Sequence, residues 1–292
     1  MAKDLIIGVF SNYGYDEVKP WVKSAKDCGF EGDVVLIAID ASDETCKKIE
    51  EDDVIVIRAD KRGKMMIHME RFLHIYNYLK EHQGEYNWVI STDVRDVIFQ
   101  NNPSKWLELM PCDIVSSGEA IRIKDEHWNR ENIIKNFGDY FYEDIKDRIV
   151  QCVGVLAGTS IYMKDLAFYI YQMSLNRPDW VADQAAYNMI IHYSPWSQMT
   201  IHTDLSHAWA INGHVTNYEP DMQKFETFLL EPRPKLKDGL VVNQNDEPFY
   251  IVHQYDRVRE WKKVVEEKYG VKIKSQYTPD IDNSMIVINT GV

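Results

Sequence analysis

In Trp88-Val89-Ile90-Ser91-Thr92-Asp93-Val94-Arg95-Asp96-Val97-Ile98-Phe99-Gln100 a short apolar run meets two aspartates and then resumes as apolar. Apolar residues at successive rather than alternate positions suit a strand buried on both faces of a parallel sheet. The same signature recurs at 5–10, 34–39, 54–57 and 113–116. Helical spacing fills the intervals, most clearly over 64–82, where Met65, Met69, Phe72, Tyr76 and Leu79 recur. Strand and helix in alternation predict an α/β fold, a doubly wound and mainly parallel sheet. Such folds bind ligands at the carboxyl ends of their strands. Asp93 and Asp96 therefore belong at the rim of the predicted cleft.

Two hard oxygen donors at that place suit Mg²⁺ or Mn²⁺ holding a diphosphate. The plainer reading is that Asp93 and Asp96 cap a turn or the next helix, which aspartate does readily. With 46 acidic residues in the chain, spaced pairs also arise by chance.

Downstream, 125–142 is polar and aromatic with a helix, and 153–163 reads as a strand broken by Gly154 and Gly158. Helices are expected over 164–176 and 179–192. From 213 to 248 the pattern dissolves among Pro220, Pro232, Pro234, Gly239 and Pro248, and loops of that length are usually functional or mobile. A strand at 249–253 and a helix at 258–269 follow. One domain over 1–270 is expected, with a tail over 271–292. The apolar end of that tail fits a fragment of a larger multidomain protein.

The chain has 292 residues, 45% hydrophobic and 27% charged, enough to bury a sizeable core. Its formal net charge of -13 argues against a nucleic-acid partner and against docking on an anionic membrane. Phosphate can still be bound by a few placed cations and a metal. Cys28, Cys46, Cys112 and Cys152 are scattered, which fits reduced thiols in a cytoplasmic protein. No apolar run approaches the ~20 residues of a membrane span, so no transmembrane segment is expected.

The segment Asp93-Val-Arg-Asp96-Val-Ile-Phe-Gln100 after a hydrophobic strand resembles the D-x-D-type motif of GT-A glycosyltransferases. It is closest to an Arg-containing variant of polysaccharide enzymes from viruses, algae, plants and bacteria. Further pieces follow in family order: Asn12-Tyr13 with Val18-Lys-Pro-Trp21, Arg71-Phe72, Val155-Leu-Ala-Gly-Thr-Ser-Ile-Tyr-Met163, Ala182-Asp183-Gln184 with Asn188, and Ile251-Val-His253-Gln-Tyr-Asp-Arg257. The resemblance spans about residues 5–257. It departs in spacing, D-x-x-D here, and offers no anchor between 213 and 248. It implies a GT-A, Rossmann-like fold with a nucleotide-sugar half over 1–120 and a smaller acceptor half over 121–270. The implied activity moves a sugar from a nucleotide-diphosphate donor, by family habit UDP, to a glycan or other hydroxyl acceptor.

The resemblance also implies roles. Asp96 is the leading metal ligand, Asp93 binds metal or ribose, and His253 completes the set, although a lone histidine on an apolar strand is more often a core residue. Phe10, Ser11, Asn12 and Tyr13 shape the base and ribose pocket, with Asp40 or Asp60 on uracil or ribose. Arg71, Arg62 and Lys64 are the cations nearest the diphosphate, each with the alternative of an exposed helix charge. Arg95 either contacts the donor or braces Asp93. Asp183 is the base for an inverting reaction, or the first-turn acid of a helix. Gln184 lies nearer the reacting carbon in a retaining one, and Glu119 is the rival base. Trp128, His207, Trp209 and His214 either stack on sugars or pack.

Two other functions fit the same fold class. A sugar-1-phosphate nucleotidylyltransferase needs a Gly-rich basic loop after the first strand, where this chain has Phe10-Ser-Asn-Tyr-Gly-Tyr15. A non-catalytic nucleotide-sugar or glycan-binding domain needs none of Asp93, Asp96 and Asp183.

Overall fold

The computed structural model describes residues 2–175 and 181–273. Its first part winds β1 (Lys3–Ser11), α1 (Tyr15–Asp27), β2 (Asp33–Ile39), α2 (Asp43–Glu50), β3 (Ile55–Ala59), α3 (Ile67–Glu81) and β4 (Tyr86–Thr92). After β5 (Val97–Phe99) and α4 (Pro103–Leu107) come β6 (Ile114–Arg122), α5 (His127–Phe137), α6 (Asp139–Ile145), β7 (Ile149–Thr159), α7 (Ser160–Ser174) and α8 (Asp183–Ile191). The last part holds α9 (Trp196–Met199), β8 (Thr200–Thr203), β9 (Ala210–Asn212), β10 (Lys235–Lys237), β11 (Leu240–Val242), β12 (Ile251–His253) and α10 (Arg259–Tyr269).

Seven strands form the central sheet in the order β3-β2-β1-β4-β7-β6-β8. Only β7 runs against the rest, since it pairs antiparallel with both β4 and β6. The molecule is thus α/β with a mostly parallel sheet, as expected. The alternation of side chains along β1 builds two cores at once. Ile6 and Phe10 pack with Val18, Trp21 and Ile90 on one face. Leu5, Ile7 and Val9 pack with Phe72, Ile75, Leu166 and Tyr187 on the other. Local caps start the helices where the sequence offers them: Ser42 accepts from Thr45 N at α2, and Glu126 accepts from Trp128 N and Asn129 N at α5.

Three expectations need correction. The strand read as broken over 153–163 is continuous from Ile149 to Thr159, and the helix begins at Ser160. Its glycines mark close approach, not interruption: a Cβ on Gly158 would lie 2.7 Å from Asp113 O. The strand expected over 113–116 runs on to Arg122, so the division near 120 falls inside β6. Finally, 213–248 is not a loop without packing. Val215, Met222 and Phe225 are buried with Ile121 and Ile133, and buried Arg233 donates to Val215 O (3.0 Å), Asn217 O and Met222 O (3.3 Å). One guanidinium there supplies the hydrogen bonds that a helix or ladder would otherwise give.

The helix expected over 179–192 begins, among the described residues, at Asp183. Val271 and Ile273 pack with Trp261 and Val265, and the rest of the expected tail, 274–292, lies outside the described residues. No helix among the described residues is long and apolar enough to cross a membrane.

Candidate metal and ligand site

A second, three-stranded sheet, β5-β12-β9, lies beyond the end of β4. Its register assembles the site. β12 runs antiparallel to β5 with His253 opposite Val97, so the histidine lies beside the chain that has just left Asp96. β12 also runs parallel to β9 with His253 opposite Asn212. Gln254 N then donates to Asp96 O (2.7 Å) and locks the two segments together. Gln254 has φ 61°, a left-handed conformation that a side chain tolerates only when its surroundings impose it.

Asp93, Asp96 and His253 converge there, with one ligand atom from each lying within 4.8 Å of the others. His253 Nε2 lies 3.3 Å from Asp93 Oδ2 and 3.8 Å from Asp96 Oδ2. Nε2 is buried and makes no hydrogen bond. His253 Nδ1 donates to Asn212 Oδ1 (2.8 Å), which orients the ring and turns Nε2 toward the two carboxylates. Burial alone would lower the His253 pKa, but Cys152 and Asp96 beside it more than reverse this and raise it. The three side chains fit a divalent cation that accepts oxygen and imidazole ligands.

Space for the imidazole comes from Gly154. Asp93 N donates to Gly154 O (2.9 Å) across the end of the β4–β7 ladder, and a Cβ on Gly154 would lie 2.3 Å from His253 Cε1. Any other residue there would expel the ring.

Arg71, reaching from α3, spans the cluster and the region behind it. Its guanidinium pairs with Asp93 and, at 3.2 Å, with Asp183 Oδ2. Asp183 is buried at the start of α8, and its Oδ1 makes no hydrogen bond. Gln184 beside it accepts from Val153 N (3.3 Å) and donates to Glu119 Oε1 (3.1 Å) and Asn129 Oδ1 (2.9 Å). Glu119 is buried, and burial, with the neighbouring Glu126 carboxylate, pushes its pKa up to about 7.

A small cleft of about 140 Å³ opens over Asp93 and Asp96. Phe10 and Ser11 from the end of β1 and Tyr13 just beyond it line it with Arg71 and Arg95. Asn12, Asp40, Arg62 and Lys64 do not line it. Asn12 is exposed and donates to Ser11 Oγ, Asp40 accepts from Lys61 N, and Arg62 N bonds Glu70. Arg95 does not brace Asp93: it pairs with buried Asp256 at 2.9 Å, and Arg71 takes the role. Trp209 and His207 also leave the ligand-binding set, since Trp209 is core and His207 bonds Asp204.

His68, Val94 and Arg257 line the cleft without having been singled out. Arg257 closes the Ile251–Arg257 motif, where its place beside His253 was the available signal. Asn212 and Gly154 matter equally to the site. A glycine inside a strand signals close approach, whereas nothing local marks Asn212. No protein-family model matches the chain, and no curated protein is significantly similar to it.

Proposed function

We propose that the chain is a divalent-metal-dependent glycosyltransferase that moves a sugar from a nucleoside-diphosphate donor to a hydroxyl acceptor. One observation carries the reading: two aspartates and a histidine with an unsatisfied, buried Nε2 meet at the carboxyl end of a central strand, beneath a cleft that Arg71, Arg95 and Arg257 also line. The GT-A resemblance in the order of the motifs supports it, and the mostly parallel sheet is compatible with it.

Asp93, Asp96 and His253 would hold Mn²⁺ or Mg²⁺, which when bound offsets the charge on the departing diphosphate. Ser11 and Tyr13, at and just past the end of β1, would hold the nucleoside, and Arg257 in the cleft lining would contribute a cation toward the diphosphate. In the transfer, the bond from the anomeric carbon to the diphosphate oxygen breaks and its electron pair leaves with the nucleoside diphosphate. The acceptor oxygen bonds the same carbon and gives its proton to a carboxylate. Asp183 Oδ1 is the oxygen with no other hydrogen bond to lose, while Oδ2 is anchored by Arg71. Glu119, tied to Gln184 and partly protonated at neutral pH, is better suited to hold that amide than to take the proton.

The test is hydrolysis or transfer from a panel of UDP-, GDP- and dTDP-sugars with Mn²⁺. Turnover of at least one donor, abolished by EDTA, is expected. A protein that binds these donors but never releases nucleoside diphosphate is a binding domain and not a transferase.

A further inference from the structure

Trp128 is 41% exposed and Phe228 is 45% exposed, and both line one cleft between the first turn of α5 and the 3-10 segment Pro220–Phe228. Phe225 and His214 form its inner wall, with ring centroids 6.4 Å apart. Asp125, Glu126 and Lys224 supply its charged groups. The Trp128 position is built, not incidental: the buried Glu126 carboxylate accepts from Trp128 N (3.2 Å) and Asn129 N (2.7 Å) and so fixes the turn that presents the indole.

Hydrogen bonds link this cleft to the residues around the metal site. From Glu126 a chain of hydrogen bonds passes through Asn129 Nδ2 (2.8 Å) to Gln184 and on to Glu119. Gln184 also grips Val153, the neighbour of the glycine that faces His253. Arg257, which lines the Asp93–Asp96 cleft, lies close enough to His214 to add to the effect of burial in holding its imidazole at about 4.

An exposed indole beside hydrogen-bonding groups matches the two surfaces of a pyranose, whose C–H face packs on an aromatic ring while its hydroxyls need polar partners. An anionic ligand is disfavoured by Asp125 and Glu126 and by the net charge of -13. A wholly apolar one would strip water from part-exposed Asp125 without replacing it. We propose that this cleft is the acceptor subsite and takes a neutral saccharide stacked on Trp128, so that the acceptor is a glycan and not a protein, a lipid or a small alcohol. The assignment rests on the transferase reading above.

Saturation-transfer NMR with UDP and Mn²⁺ present, against maltose, cellobiose, lactose and the methyl glycosides of glucose, galactose, mannose and xylose, tests it. At least one saccharide should bind the wild type. Trp128→Ala should weaken that saccharide roughly tenfold or more, and Trp128→Phe should keep part of the affinity. Both variants should bind UDP with Mn²⁺ within about twofold of wild type, because Trp128 does not line the metal cleft. A wild type that binds UDP with Mn²⁺ but no saccharide overturns the subsite and leaves the transferase reading standing. Saccharide binding that Trp128→Ala does not change overturns it too. A wild type that binds no UDP with Mn²⁺ sinks the transferase reading, and the acceptor assignment with it.

Discussion

Gly154→Ala probes the metal site without touching a ligand. The added Cβ would lie 2.3 Å from His253 Cε1 and 2.9 Å from both ring nitrogens, closer than real Cβ contacts come. A retreat of Gly154, which lies at the register shift between β6 and β7, would pull its carbonyl off Asp93 N. His253 must therefore tilt or leave, which breaks its 2.8 Å bond to Asn212 and moves Nε2 off the carboxylates. Overpacking of this kind costs about 1–3 kcal/mol. At roughly 2–4 °C per kcal/mol for a domain of this size, the melting temperature without metal should fall by several degrees. Displacing one ligand should also weaken Mn²⁺ by about 10–100-fold, the loss typical when a ligand's support is removed. Calorimetric titration with Mn²⁺ and melting curves with and without it measure both effects. If Gly154→Ala binds Mn²⁺ as tightly as wild type, His253 is not a ligand, even if the variant is less stable.

Other variants separate the remaining roles. Asp183→Asn should leave UDP affinity nearly unchanged and lower turnover by roughly 10²-fold or more; wild-type turnover would place the base elsewhere. Arg71→Ala removes the only guanidinium shown pairing with both Asp93 and Asp183, and stranding a buried carboxylate should cost about 3–5 kcal/mol in urea unfolding. A loss under about 1 kcal/mol would mean water already serves Asp183. Glu119 gives a pH signature. Its pKa rises from 4.5 to about 7 on folding, so the folded state holds a proton that the unfolded state has lost between those values. Stability from this group is lost as pH rises through that window, by on the order of 3 kcal/mol at 1.36 kcal/mol per pH unit. Glu119→Gln should gain that much relative to wild type between pH 4.5 and 8, and parallel pH profiles would refute the shift.

The central strands were legible because both faces of each are buried, which leaves near-continuous apolar runs at β1, β2 and β4. Asp93 and Asp96 stood out for the same reason, as charges where such a run stops. What periodicity misses is contact between distant segments. Gly154 and Gly158 looked like breaks because a sequence does not show that His253 and Asp113 press against them. The packing of 213–248 depends on one buried arginine, and no spacing rule announces that Arg233 bonds three carbonyls. In the sequence Arg95 could either brace Asp93 or contact a donor. The partner of Asp93 is Arg71, which α3 delivers from across the sheet, and Arg95 turns to Asp256 instead. His253 was visible as a motif residue, but its ligand geometry follows from the β5–β12–β9 register, which three-residue strands do not advertise.

The claim that Asp93, Asp96 and His253 hold a cation for a nucleoside diphosphate meets its most direct test in calorimetric titration of UDP, GDP and dTDP, each with Mn²⁺ and with EDTA. Two carboxylates at the mouth of the cleft repel a diphosphate unless a cation bridges them. One nucleotide should bind with Mn²⁺ and weaken at least tenfold in EDTA, and His253→Ala should reduce the gap between the two buffers. Equal affinity with and without metal would contradict the account.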